Sequence, residues 1–260
     1  MTLSNTSGTN PNPLMAPTSG PITRKRDYRR ALSALRKLLK DKEDTAQVFE
    51  IMIALTGSSA WDGYMRFIST VEGGKTAYRR ENMAEILSDH DALARLPAGS
   101  VGRAYLDFVT AENISAEGLI AENRKVTQSY ADAEHPVAWY GRRLRDTHDL
   151  WHVLTGYGRD ALGEACLVAF SYAQTKSLGF GLIAFAGAIK IGRLVPNYPV
   201  ARAVFAAYLA GRDAAWLPAE DYPSLLAEPL IEARIRLKLA APKVYQSVPV
   251  EWRNGVLANA

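Results

Sequence analysis

His148-Asp149-Leu150-Trp151-His152 places two imidazoles and a carboxylate within five residues, and Glu164 follows after eleven more. Each residue of an α-helix turns the side chain by about 100°. With His148 at the origin, His152 falls near ~40° and Asp149 near ~100°, so the three share one face. Histidines at i and i+4 are how a helix presents two imidazoles to one cation. On a continuous helix Glu164 would lie about 24 Å further along the axis, beyond reach of the same ion. Gly156 and Gly158 interrupt that path, and a reversal there would return Glu164 alongside the histidines on an antiparallel helix. His148, Asp149, His152 and Glu164 are therefore the candidate metal ligands. Mixed nitrogen and oxygen donors suit a divalent metal, zinc taken first, with iron or manganese as the alternatives. A site that does chemistry keeps one coordination position for water or substrate. Asp149 is accordingly expected to bind loosely or to serve as the catalytic base.

The plainer alternative is a wet helix face with two histidines at that spacing by chance. The chain has only four histidines, and two of them at ligand spacing with an acid between favour the metal. His90 and His135 stand alone near expected helix ends and are read as ordinary hydrogen-bonding residues. HDLWH also lies close to the zincin pattern HExxH, where the acid activates water on the metal, but an Asp sets the carboxylate back by one methylene. Paired His-Asp dipeptides at 90–91 and 148–149 would suit a phosphohydrolase, a chemistry that leaves His152 and Glu164 without a task. Both rank below the four-residue set.

The elements that must position these residues read as helices throughout. Tyr28, Leu32, Leu35, Leu38 and Leu39 recur at helical spacing. Helices are also expected over 48–55, 82–94 and 103–110, with a loop at 96–102. Pro136 suits the first turn of a helix running through His148 and His152. Further helices are expected over 160–175 and 201–210, and from Pro229 onward. No stretch alternates in polarity long enough to argue for a sheet. The fold expectation is all-α: a single multi-helix domain over 23–260 behind a disordered arm, 1–22, rich in Pro, Ser, Thr, Asn and Gly.

Composition sets limits. Of 260 residues 48% are hydrophobic, enough for a core and against a disordered chain. One cysteine, Cys166, precludes an internal disulfide and suggests a reducing compartment. The N-terminus lacks the features of a signal peptide. The longest uncharged apolar run, 178–189, has 12 residues, short of the about 20 that span a bilayer. Net charge is +4, yet residues 24–42 hold nine Lys/Arg against Asp27 and Asp41. Such a patch suits an anionic membrane surface or nucleic acid; a solvated helix face is the equal alternative. Few aromatics interleave the charges and no recognition motif is visible, so no nucleic-acid partner is expected.

At His148-Asp149, His152 and Glu164 the chain resembles the coenzyme Q biosynthesis protein 4 family, whose hallmark is His-Asp, two residues, His, eleven residues, Glu. LPAGSVGRAYLDF (96–108) and WLPAEDYPSLLAEPLIEARIRL (216–237) are similar to other family segments, and the likeness covers roughly residues 45–240. The run Arg143-Leu144-Arg145 lacks the family's usual aromatic, and Leu150 stands where Phe is common. The resemblance implies an all-helical peripheral membrane protein of ubiquinone biosynthesis that binds a divalent metal. It implies loss of the C1 carboxylate from a polyprenylated hydroxybenzoate, with oxidation at that carbon, or else a non-catalytic lipid-binding scaffold for other ubiquinone-biosynthesis proteins. A homodimer is a further expectation. So is a place on the inner face of the cell membrane, or the matrix side of the mitochondrial inner membrane. For such a substrate Arg145, among Arg142, Arg143 and Arg145, is the candidate partner of a carboxylate or phosphate, surface charge being the equal alternative. The polyprenyl tail needs an apolar slot, and Phe180 and Ile183 in the 178–189 run are its candidate lining. A buried core helix is the plainer reading of that run.

Overall fold

The computed structural model describes residues 25–41, 44–111 and 135–254; the arm expected to be disordered, 1–22, lies outside them. Among the described residues there are 15 α-helices and no strand; Ser100 and Pro229 form an isolated bridge. The helices are α1 (Tyr28–Leu38), α2 (Thr45–Leu55), α3 (Ser59–Ile68), α4 (Val71–Arg79), α5 (Met83–Ser88), α6 (His90–Ala94), α7 (Val101–Ala111) and α8 (Pro136–Asp146). They continue with α9 (His148–Thr155), α10 (Ala161–Thr175), α11 (Leu178–Leu194), α12 (Val200–Asp213), α13 (Tyr222–Ala227), α14 (Leu230–Arg236) and α15 (Lys243–Gln246). The all-α reading holds.

The centre of the fold is α10, apolar nearly all round, as a helix enclosed by others must be. Leu162, Cys166, Leu167 and Phe170 are fully buried along it. Helix α12 packs closely on it, and α11 runs antiparallel to it: Gly187 lies opposite Ala165 and Gly181 opposite Tyr172. Helices α7, α9, α13 and α14 complete the main core through Val101, Tyr105, Leu150, Leu154, Leu225 and Ala233. A second cluster joins α1 and α2 to α11 through Leu35, Leu38, Ile51 and Leu55. A third, Phe67 with Trp139 and Tyr140, ties α3 to α8.

Three local departures from the sequence reading have physical causes. The expected helix from Pro136 through His152 divides at Thr147, whose backbone has ψ near zero (φ −90°, ψ 0°) and whose hydroxyl donates to the Arg143 carbonyl at 2.9 Å. A threonine that bonds back to the preceding turn perturbs a helix in this way. The expected helix over 82–94 divides at Asp89, whose carboxylate caps the Ala92 N–H and starts a new helix. Finally, α11 is not a buried core helix. Gly179, Ala184 and Ile191 are buried, while Phe185 is 66% exposed and Leu194 48%.

Candidate metal centre

Three features of the chain build the site. His148 opens α9 and His152 lies one turn later. Gly156 then closes α9 in the left-handed region (φ 77°), its N–H donating to the His152 carbonyl at 2.8 Å. Glycine takes that conformation without the Cβ cost other residues bear. Asp160 starts α10 two residues past Gly158, its Oδ1 accepting from the Gly163 N–H at 2.9 Å, a side-chain N-cap. The reversal is tight: a Cβ on Gly163 would stand 2.0 Å from the Gly158 carbonyl oxygen. Glu164 therefore sits in the first turn of α10 and comes back beside α9.

The distances follow. Glu164 Oε1 lies 3.4 Å from His152 Nε2, and the two imidazole rings meet edge to face with centroids 5.0 Å apart. One ligand atom from each of His148, His152 and Glu164 falls within 4.8 Å of the others, the one such group of three or more among the described residues. Asp149 stands beside this trio, its Oδ1 3.5 Å from His148 Nδ1.

His152 decides whether the residues fit a cation. Its Nδ1 lies 3.0 Å from the Tyr157 carbonyl, to which it can only donate. The proton thus belongs on Nδ1, and in the neutral imidazole the Nε2 lone pair is free. That Nε2 is fully buried and has no hydrogen-bond partner, with Glu164 Oε1 3.4 Å away. An orphaned buried nitrogen costs free energy unless something accepts its lone pair. A carbonyl that fixes the tautomer of an imidazole is also the usual outer support of a metal-bound histidine. Phe108 of α7 stacks on the ring at 5.6 Å and holds its plane. The donor set fits a divalent cation.

Charge around the trio is balanced by position. Burial works against protonated His148, but the hydrogen bond to Asp149 and the fields of Glu164 and Asp149 outweigh it and raise its pKa. Burial pushes Asp149 and Glu164 up, yet the fields of Arg159 and of the neighbouring imidazoles in their protonated form hold both below the usual carboxylate range. Arg159 Nε is 3.8 Å from Glu164 Oε1.

The other candidate residues are placed differently. Arg145 is paired to Asp146 at 2.6 Å. Arg143 is not surface charge. It is 2% exposed, donates to the Pro218 and Glu220 carbonyls and lies over the Tyr222 ring at 4.7 Å. Phe180 and Ile183 are half-buried against the main core, and Ile183 also touches the second cluster. The antiparallel register puts Ile183 about 8 Å and Phe180 about 13 Å along α11 from the level of Glu164. The sequence reading missed the Tyr157 carbonyl, Phe108 and Arg159. It also missed Arg234, whose guanidinium donates to the Leu154 and Val153 carbonyls and caps the end of α9.

A family model described as coenzyme Q (ubiquinone) biosynthesis protein Coq4 matches residues 37–243. The mitochondrial ubiquinone biosynthesis protein COQ4 homologue of Rattus norvegicus is 30% identical over 129 residues, 48% of this chain and 46% of that protein. The Homo sapiens homologue is 32% identical over 121 residues, 46% of this chain and 43% of that protein. The chain thus spans about half the length of the curated relatives it matches. A crystal structure of a Nostoc punctiforme protein, provisionally named for ubiquinone biosynthesis, superposes with a TM-score of 0.57 at 21% identity. It covers 84% of this chain and 100% of that one, a likeness of fold. Among the described residues no helix is long and apolar enough to cross a membrane.

Proposed function

This chain belongs to the coenzyme Q (ubiquinone) biosynthesis protein Coq4 family, and from that membership and the site we propose a metal-dependent protein of ubiquinone biosynthesis that removes the C1 carboxylate of a polyprenylated hydroxybenzoate at a membrane surface. The observation that carries the reading is His152, locked in one tautomer with its buried Nε2 unpartnered, in a trio with His148 and Glu164. These three would hold the ion, zinc first and iron or manganese as alternatives. A bound divalent ion supplies Lewis acidity toward the ring's carboxylate or phenolic oxygens and stabilises the charge that develops as CO₂ leaves.

The chain's own residues do the rest. Tyr157 orients His152 through its carbonyl, and Asp149, hydrogen-bonded to His148, is the group placed to hold or move a proton. Loss of CO₂ leaves an electron pair on C1. A proton taken there gives the simple decarboxylation; hydroxylation there needs dioxygen or another two-electron oxidant. Phe180 and Ile183, half-buried on α11, are the side chains assigned to the polyprenyl tail. The surface supports a membrane location. Helix α1 exposes Arg29, Arg36 and Lys37 with Tyr28 and Leu32, and Lys190 of α11 donates to the Leu39 carbonyl, so exposed Phe185 and Leu194 lie on a neighbouring helix.

Metal analysis of the purified full chain is the first test, with His148→Ala and His152→Ala as controls. Substoichiometric metal in both variants is the expected result; wild-type content in both defeats the reading. Turnover of a synthetic prenylated hydroxybenzoate then separates enzyme from scaffold. Metal-loaded protein that binds the lipid yet releases no CO₂, with dioxygen or with reductant, would leave the scaffold.

A further inference from the structure

Glu164 rides on the first turn of α10, and residues from the far end of the chain hold that turn. The first N–H groups of a helix find no partner within it. Here the Ala161 N–H donates to Asn254 Oδ1 at 3.0 Å and the Leu162 N–H to the Arg253 carbonyl at 2.9 Å. The Gly163 and Glu164 N–H groups are served locally, by the Asp160 carboxylate and carbonyl. The same tail grips the other arm of the reversal. The Tyr245 hydroxyl accepts from the Gly158 N–H at 3.0 Å and donates to the Asp160 carboxylate. Its ring meets Tyr157 edge-on at 5.6 Å, and the Tyr157 carbonyl is the one that fixes His152. Arg253 in turn lies over the Tyr245 ring at 4.4 Å and donates to the Val248 carbonyl at 2.8 Å. Tyr245, Arg253 and Asn254 all follow residue 243, where the match to the family model ends.

We propose that this C-terminal tail is a positioning clamp: Tyr245, Arg253 and Asn254 set the spacing between Glu164 and His152 and thereby the affinity of the site for a divalent cation. The inference rests on the metal reading above. A local turn through Gly158 would leave two donors of α10 and the Gly158 N–H to water, and the first turn of α10 would be free to shift relative to α9. With the tail in place both arms are tied to one aromatic ring and one backbone segment.

The test uses the full chain stripped of metal and titrated with Co²⁺, whose donor preferences overlap those of zinc and whose d–d absorption reports ligand geometry. Loss of an outer support at metal sites commonly weakens binding about 10- to 100-fold. Tyr245→Phe and Asn254→Ala are each expected to weaken Co²⁺ binding about tenfold and to alter the d–d bands at saturation. Asn254→Asp, which keeps the acceptor, is expected to retain wild-type affinity and spectrum. Wild-type affinity with an unchanged spectrum in both Tyr245→Phe and Asn254→Ala overturns the clamp. If Tyr245→Phe lacks a cooperative melt, Asn254→Ala on the exposed tail decides alone. His152→Ala is the separate control: Co²⁺ bound there as in wild type refutes the metal reading itself, whatever the tail variants do.

Discussion

Replacing Gly163 by alanine tests the reversal on which the site depends. The added Cβ would stand 2.0 Å from the Gly158 carbonyl oxygen, 2.7 Å from its carbon and 2.9 Å from its nitrogen, whereas real Cβ contacts essentially never fall under 3.0 Å. The obstacle is the backbone of Gly158, so no rotamer change relieves it. The start of α10 or the Gly158 turn must move by about an ångström, and overpacking of that kind costs about 1–3 kcal/mol. The same shift strains the Asp160 N-cap, which is worth about 1 kcal/mol. A total near 3 kcal/mol corresponds to a fall in Tm of about 6–12 °C for a chain of this size. Because Glu164 is the next residue, its carboxylate leaves the 3.4 Å approach to His152 Nε2, and metal affinity falls with stability. Thermal melts with and without metal, alongside a metal titration, measure both. Gly141→Ala is the control: it sits in α8, where a Cβ would meet nothing within 4 Å, and Ala there is expected to be neutral or to stabilise by up to about 1 kcal/mol. A Gly163→Ala protein that melts and binds metal like wild type would refute the geometry of the reversal.

Other expectations follow from particular groups. Because the His148 pKa is raised while those of Asp149 and Glu164 are lowered, protons compete with a cation chiefly at the imidazole. Metal affinity should begin to fall, on acidification, already above the ordinary imidazole value of about 6.5. In the metal-free protein His148 acts in the opposite sense. The stability it contributes is complete below the unfolded pKa and is lost as pH rises through the folded value; a melt series across that window with chelator, showing no such loss, would contradict the assignment. Arg143→Met would leave the largely buried Glu81 carboxylate, 3.8 Å from the Arg143 guanidinium, without its partner and should cost about 3–5 kcal/mol, as breaking a buried charge pair does, while metal bound per folded molecule stays at wild type; a full loss of metal in folded protein would show that Arg143 serves the site directly. Cosedimentation with anionic vesicles should exceed that with neutral ones, fall with salt, and weaken in a Phe185→Ser, Leu194→Ser double variant; equal binding to both vesicle types would contradict the membrane reading.

Helical class and most helix positions were legible because apolar residues recur at helical spacing and Gly, Pro and capping residues punctuate them. Helices α3 and α4 escaped notice because each buries little: Phe67 alone in α3, and Gly73 and Thr76 in α4. Glu164 was legible as a neighbour of the histidines because two glycines invited a reversal. The support of the site was not, because it comes from backbone and from distant segments. The Tyr157 carbonyl has no side-chain signature, Arg234 meets Val153 and Leu154 some 80 residues earlier, and Tyr245 meets Gly158 across 87. Arg143 read as one more charge in a basic run, since nothing local announces that Pro218, Glu220 and Tyr222 enclose it. The run over 178–189 gave no warning of an exposed face, because a helix that is apolar all round carries no pattern to say which side meets solvent.

The three candidate ligands are not equivalent, and the difference bears on what the site does. The His152 side chain is wholly enclosed, while His148 remains 30% exposed and Glu164 38%. One donor is therefore fixed in advance, in tautomer and in ring plane, and the other two form a rim open to solvent. A structural zinc site closes four protein ligands around the ion; a reactive one keeps a coordination position for an exogenous ligand. Here three protein donors converge, and the fourth candidate, Asp149, is engaged with His148 rather than gathered into the trio. Arg159, beside Glu164, sets a cationic group at the same rim. An open rim of this kind is what the proposed reacting site requires, whereas a pin between two helices has no need of it.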